Sequence, residues 1–284
     1  MSHESFARRH RTVFTAPRRD LRTVRFVLAP MPATTPYLAE LAAPAEAADP
    51  PPLARGFQIA TYNVHRWAGV RGGKKYDPSR VGTVLEEIGA DVIALQEVLR
   101  PFDRPDPLRE IAAGLGMHLA FVVTRMHKRG ELGNAVLARW PLAGAEAIDL
   151  TFGRLERRAA LAVRLADHTA PVRIVSTHLA IVDRTRTRQV QTLLQHPHFD
   201  GGPTILLGDM NAWRKTPASR GLDRYAERHH NARWPASWPS VRPILALDRV
   251  YSSGVTVSGL HAHETPTSRQ ASDHLPVVGM VQVG

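Results

Sequence analysis

From residue 57 onward the chain alternates short apolar runs with amphipathic segments, opening with a run over 57–61 that reads as a strand. Val81, Val84, Leu85 and Ile88 then recur at helical spacing up to Gly89. Asp77 before Pro78 predicts the start of that helix, with Asp77 as N-cap, Pro78 at the first position and Gly89 just past the end. A helix with one apolar stripe needs a sheet to cover. Val92, Ile93, Ala94 and Leu95 follow without polar interruption, as expected of a central strand buried on both faces. Further strands are predicted over 118–124, 134–138, 159–165, 172–177, 204–207, 247–251 and 276–283, and helices over 107–115, 183–195 and 217–227. Strands outnumber helices and several are consecutive, so the pattern gives an α/β fold of two packed sheets flanked by helices, not one doubly wound sheet. No internal repeat is visible.

Upstream, residues 31–52 are rich in Ala and Pro and end in Asp49-Pro50-Pro51-Pro52, a composition that reads as a linker. Arg8, Arg9, Arg11, Arg18, Arg19, Arg22 and Arg25 stud the segment before it. Residues 1–55 are therefore expected to be a disordered Arg-rich arm and linker, with one domain over 56–284.

A chain of 284 residues with 43% hydrophobic content can bury a substantial core. It has no apolar run of the roughly 18 residues that cross a bilayer, and its Arg-rich start lacks the apolar stretch of a secretory signal. The expected compartment is the cytoplasm. With no cysteine, any metal must be held by carboxylate, amide, carbonyl or imidazole groups, which favours a hard ion such as Mg²⁺ or Mn²⁺. The net charge of +11 suits a polyanionic substrate or an anionic surface. Arg far outnumbers Lys, however, so codon composition accounts for it as well, and that plainer reading is preferred.

Polar residues able to bind metal or phosphate recur at the ends of the apolar strands. Asn63 ends the first, Glu97 follows Val92–Leu95, His178 ends 172–177, and Asp209 with Asn211 follows 204–207. Asp248 opens the strand before Tyr251, and Asp273 with His274 precedes the last strand. Each alone is most simply a turn or cap residue. Six such elements in one order are not so easily dismissed.

The segments TYNVHRW, LQEV, GNAVLAR, STHLA, GDMNAW, LDRVY and SDHLPV, spanning Thr61 to Val277, resemble the successive signatures of the endonuclease/exonuclease/phosphatase superfamily. GDMN and SDHLPV are the most specific. The resemblance implies a four-layer α/β/β/α sandwich of the deoxyribonuclease I kind and a Mg²⁺-dependent phosphoester hydrolase, most simply a phosphodiesterase, with Mn²⁺ as a substitute ion. It assigns Glu97, Asn63 and Asp273 to the metal. Asp209 orients or deprotonates water, Asn211 holds a phosphate oxygen, and His178 donates to a non-bridging oxygen. His274 acts on the phosphate or as a base, with Asp248 fixing its tautomer. Asn134 and Arg158 are candidate substrate contacts.

The catalytic residues do not choose between nucleic acid, phospholipid or sphingolipid head group, and inositol phosphate. His178 disfavours an abasic-site endonuclease, where Tyr is usual at the matching position. His65 stands where some members carry a second acidic ligand and reads equally as substrate contact or spectator. Arg184, Arg186 and Arg188 read as cleft mouth or solvated face, Arg157 as phosphate clamp or turn. Trp234 and Trp238 read as aromatic wall, membrane-contact loop or ordinary insertion. His229-His230 and His261-Ala262-His263 read as surface loops, not a zinc site. A non-catalytic binding module of the same fold would have lost catalytic positions that this chain keeps. No obligate protein partner is evident.

Overall fold

The computed structural model describes residues 35–46, 50, 52–72, 76–153, 157–166, 171–226 and 234–283. One sheet has seven strands in the order β1 (Tyr37–Ala42), β4 (His118–His127), β5 (Gly130–Ala138), β3 (Val92–Pro101), β2 (Phe57–Asn63), β12 (Val277–Val283) and β11 (Val255–Ala262). The other has five, in the order β10 (Asp248–Ser253), β9 (Thr204–Asp209), β8 (Arg173–His178), β7 (Ala159–Leu165) and β6 (Leu142–Asp149).

Alternation along β3 shows how the layers arise. Val92 and Ala94 join a central core with Ile59, Val136, Leu161, Ile174, Ile205 and Val250, drawn from both sheets. Ile93 and Leu95 face the other way, into a second cluster with Val81, Val84, Leu85 and Ile88 of α1 (Ser79–Ile88) and Leu108 of α2 (Pro107–Gly114). On the far side, Val190 and Leu193 of α3 (Asp183–Leu194) and Leu222 of α4 (Pro217–Tyr225) cover Val175 and Leu206. The result is the expected α/β/β/α sandwich, with three apolar interfaces.

Parallel pairing occurs once in each sheet. β2 and β3 are joined through α1, and β8 and β9 through α3, because a parallel pair needs a crossover long enough for a helix. The two halves thus share one β-α-β plan that the sequence does not display as a repeat.

The predicted helix start holds to within two residues. α1 begins at Ser79, whose hydroxyl donates to Asp77 at 2.5 Å, and Gly89 closes the helix at φ 62°. The stretch read as linker contains β1, which pairs antiparallel with β4 at the sheet edge. Glu40 of β1 is buried and ion-pairs with Arg100 at 3.1 Å and with Arg109 at 2.5 Å, which ties this strand to the sandwich. The Arg-studded residues 8–25 lie outside the described residues. No described helix is long and apolar enough to cross a membrane.

Candidate active site

Strand register assembles the first part of the site. His178 at the end of β8 lies opposite Asp209 of β9, which lies opposite Asp248 of β10. Gly208 permits this close approach: its φ is +144°, and a Cβ there would overlap the Thr177 carbonyl oxygen of β8. Asp209 Oδ2 then accepts from Asn63 Nδ2 at 3.1 Å, across from the end of β2, and stands 3.3 Å from His178 Nε2 and 3.7 Å from His274 Nε2. Its Oδ1 accepts from the Asn211 backbone N–H at 3.0 Å. His274 Nδ1 is 2.7 Å from Asp248 Oδ2, so both imidazole nitrogens face carboxylates.

Burial raises the Asp209 carboxyl above the usual carboxylate range. Burial also opposes charge on His274, but Asp248 and then Asp209 outweigh it and hold the imidazole protonated. His178 is pushed the other way, by burial first and then by Arg158 and His274, and is neutral. One cationic and one neutral histidine therefore flank a single carboxylate. Asp209, Asp248 and His274 bring their ligand atoms close together, so at this group a metal and the imidazole proton would compete.

Glu97 shows why a metal suits a neighbouring position. Register shifts between Leu95 and Val98, and Glu97 at that bulge has φ 53°, which re-aims its side chain. Glu97 Oε2 is buried and accepts no hydrogen bond; its charged neighbour is Arg66 Nε at 3.5 Å. Asn63 and Asp273 line the same cavity as Glu97. A buried carboxylate oxygen lacking a donor, beside a second carboxylate and an amide, fits a hard divalent ion. The described non-glycine residues with positive φ are His65, Arg66, Trp67, Glu97 and Asn211, and Arg66, Glu97 and Asn211 of these line the cavity. Ser272 Oγ donates to the Asn63 carbonyl at 2.6 Å and fixes the Asp273-His274 turn against β2.

The cavity is about 460 Å³ and is lined by nine of the ten candidates; Asp248 lies behind His274. Asn134 and Arg158 are both in its wall, and Asn134 Nδ2 is anchored on the Ala159 carbonyl at 2.9 Å. The sequence reading missed Arg66, Thr124, Arg125 and Trp213 in the lining. Arg66 sits inside the TYNVHRW segment, where its position beside Asn63 was an available signal. His65 does not line the cavity; its Nδ1 lies 3.2 Å from Asp273 Oδ1, so it braces a candidate ligand. Arg186 is not at the cleft mouth: it is buried and donates to the carbonyls of Ala180 and Ile181. The Trp pair divides, with Trp234 packed on Tyr251 at 4.9 Å and Trp238 lining the cavity. His263 pairs with Glu87 and His261 Nδ1 lies 2.8 Å from the Gly259 carbonyl, while 229–230 lie outside the described residues. A further group that sequence did not suggest, Glu146, His196 and His198, sits away from the cavity. There His196 Nδ1 accepts from the His198 N–H at 3.4 Å, and its Nε2 lies 3.6 Å from Glu146 Oε1.

Comparison with known proteins gives the family and the fold. The chain is 26% identical over 240 residues to the Uncharacterized protein YbhP of Escherichia coli (strain K12), covering 78% of this chain and 94% of that one. An endonuclease/exonuclease/phosphatase from Beutenbergia cavernae superimposes with a TM-score of 0.64 at 23% identity, over 81% of this chain and 72% of that one. The catalytic domain of human nocturnin, solved with bound sulfate, gives 0.62 at 22% identity, over 80% and 93%. The zebrafish TDP2 complex with a single-strand DNA product gives 0.58 at 14% identity, over 80% and 98%. The profile of the Endonuclease/Exonuclease/phosphatase family matches residues 60–274, which runs from the strand before Asn63 to His274 itself. With its strand-end residues gathered in one cavity and the family profile spanning all of them, this chain belongs to the endonuclease/exonuclease/phosphatase family.

Proposed function

We propose that this chain is a divalent-metal-dependent phosphodiesterase. Family members are generally hydrolases acting on phosphoesters, and two fold relatives bind a sulfate and a single-strand DNA product. The observation that carries the reading is Asp209: a buried carboxylate whose Oδ2 faces Asn63, His178 and a cationic His274, beside the open cavity.

Glu97, Asn63 and Asp273 would hold Mg²⁺, or Mn²⁺ in its place. When bound, the ion supplies positive charge against the phosphoryl oxygens. Asp209 accepts a proton from the attacking water, whose oxygen bonds to phosphorus as the opposite ester P–O bond breaks in line. The departing oxygen takes its proton from solvent. His274, kept cationic by Asp248, and His178, a neutral N–H donor, stabilise the negative charge gathering on the phosphoryl oxygens. Asn211, fixed through its backbone to Asp209 and through Nδ2 to the Leu179 carbonyl at 2.9 Å, orients a phosphate oxygen. Arg158 and Asn134 bind the substrate from the cavity wall.

The test is hydrolysis by the purified chain, with Mg²⁺ and with chelator, of plasmid DNA, single-stranded RNA, phospholipid vesicles and inositol phosphates, using Asp209→Asn as the blank. Metal-dependent turnover of DNA, RNA or phospholipid, absent in the blank, supports the reading, and turnover of inositol phosphates alone would make the chain a phosphomonoesterase instead. Turnover that survives Asp209→Asn, or none on any of these substrates with the fold intact, overturns it in favour of a binding module.

A further inference from the structure

The loops around the cavity carry apolar side chains that a soluble scaffold ordinarily keeps few of. Ile181 and Val182 follow β8, Trp213 follows β9, and Val241 and Ile244 sit on the hairpin closed by the Trp238–Leu245 bridge; all are exposed, Ile244 by 68%. These loops form the mouth, because Ile181, Trp213, Trp238 and Leu245 line the cavity. Phe102 just beyond β3 and Met126 near the end of β4 are exposed as well, and Phe102 bonds back to the Arg129 carbonyl at 3.2 Å, beside the turn between β4 and β5. β3 and β8 run parallel to their neighbours β2 and β9, and each of these strands ends toward the site. Of the large apolar side chains exposed among the described residues, only Met280 lies elsewhere, on β12.

The same loops are basic. Arg125, Lys128, Arg184, Arg214, Lys215 and Arg242 are all exposed. Asp103 is the exposed acid among them and is paired with Arg104 at 3.1 Å, while Asp183 is paired with Arg186 and Arg214. Apolar tips ringed by cations, all on one end of a sandwich, match the chemistry of a bilayer surface that offers acyl chains beneath anionic head groups.

We propose that this end of the molecule docks on an anionic phospholipid bilayer and presents the cavity to it. A nucleic acid would engage the arginines and stack on Phe102 and Trp213, but it would leave Ile181, Val182, Val241, Ile244 and Met126, five of the seven exposed apolar side chains on this face, without a match, because they offer no ring for a base. A second copy docking through the same face would set like charge against like charge. Docking itself does not depend on the catalytic reading; only the corollary does, that the phosphodiester substrate is one displayed at a membrane surface.

The experiment is co-sedimentation of the full chain with vesicles of phosphatidylcholine alone, and of phosphatidylcholine mixed equally with phosphatidylglycerol, at low and high salt. It is run beside the double variant Val241→Ser/Ile244→Ser. The expected result is binding to the mixed vesicles only, weakened by salt, and reduced ~10-fold in the double variant. Both positions are exposed, so the variant should keep the parent melting temperature and its turnover of a soluble phosphodiester such as bis(p-nitrophenyl) phosphate. Loss of soluble turnover in the parent would count against the catalytic reading and leave docking standing. Docking is overturned if the parent stays in the supernatant with both vesicles, or if the double variant binds as tightly as the parent. It is equally overturned if the apolar tips prove to mediate single-stranded oligonucleotide binding or self-association with vesicles ignored.

Discussion

His274 owes its charge to its neighbours. Asp248 is fully buried and spends one oxygen on His274 Nδ1, while its other oxygen accepts no hydrogen bond. Asp248 does not line the described cavity, so on the proposed reading it acts through His274 as a positioning residue. Replacing it by Asn keeps the shape but removes the charge that holds the imidazolium. The expected outcome for Asp248→Asn is a fall in kcat of about 10²–10⁴ with KM nearly unchanged, read from steady-state kinetics on whichever substrate class responds; an equal loss spread into KM would mean that Asp248 serves binding instead. At this scale the sequence was generous. Polar side chains at the ends of apolar strands stand out because nothing in a core explains them, and the cavity gathers all of them but Asp248, which stands behind His274. Arg66 and Arg125 were less visible, because an Arg just past a strand reads as solvated until the backbone shows where it turns. For Arg66 that turn is a left-handed φ of 56°, which no spacing rule announces.

Strands differ in how plainly they can be read, and the difference follows position in the sheet. β2, β3, β8 and β9 are central and buried on both faces, and their apolar runs are unmistakable. β1, β6 and β11, which pattern alone did not predict, are edge strands with intermediate or exposed side chains over much of their length. An edge strand packs on one side only, so its sequence need not be continuously apolar. In β1 the alanines look like linker, and the ion pairs of Glu40 that hold it are long-range. Gly208 is where element geometry and site meet. Gly208→Ala would both overpack β9 against β8 and force a side chain into an unfavoured φ, and is expected to cost roughly 2–4 kcal/mol. Denaturant unfolding measures the loss, and the variant should also lose activity beyond what its folded fraction explains, because Asp209 is the next residue.

Across the whole molecule, the site is a seam. β2 and β3 bring Asn63 and Glu97 from one sheet, β8 and β9 bring His178 and Asp209 from the other, and Gln96 Nε2 reaches Ser176 Oγ across the gap at 3.4 Å. The shared β-α-β plan of the two halves was invisible in sequence because packing preserves apolar periodicity, not residue identity. An ion held by Asn63, Glu97 and Asp273 would tie together β2, β3 and the turn before β12, all of the seven-stranded sheet. Mg²⁺ at about a hundred times its Kd is expected to stabilise the fold by ~2.7 kcal/mol, read as a rise in Tm that Glu97→Gln abolishes; an equal rise in that variant would place the ion elsewhere. The seam also has an order of assembly. β12 lies between β2 and the edge strand β11, so one flank of β2 waits for a partner encoded more than two hundred residues later. On the ribosome, His274 and the strand behind it emerge long after Asn63. The nascent chain therefore carries five of the seven strands of that sheet with β2 as an open edge for much of its synthesis, and the site is complete only once that late strand slots in.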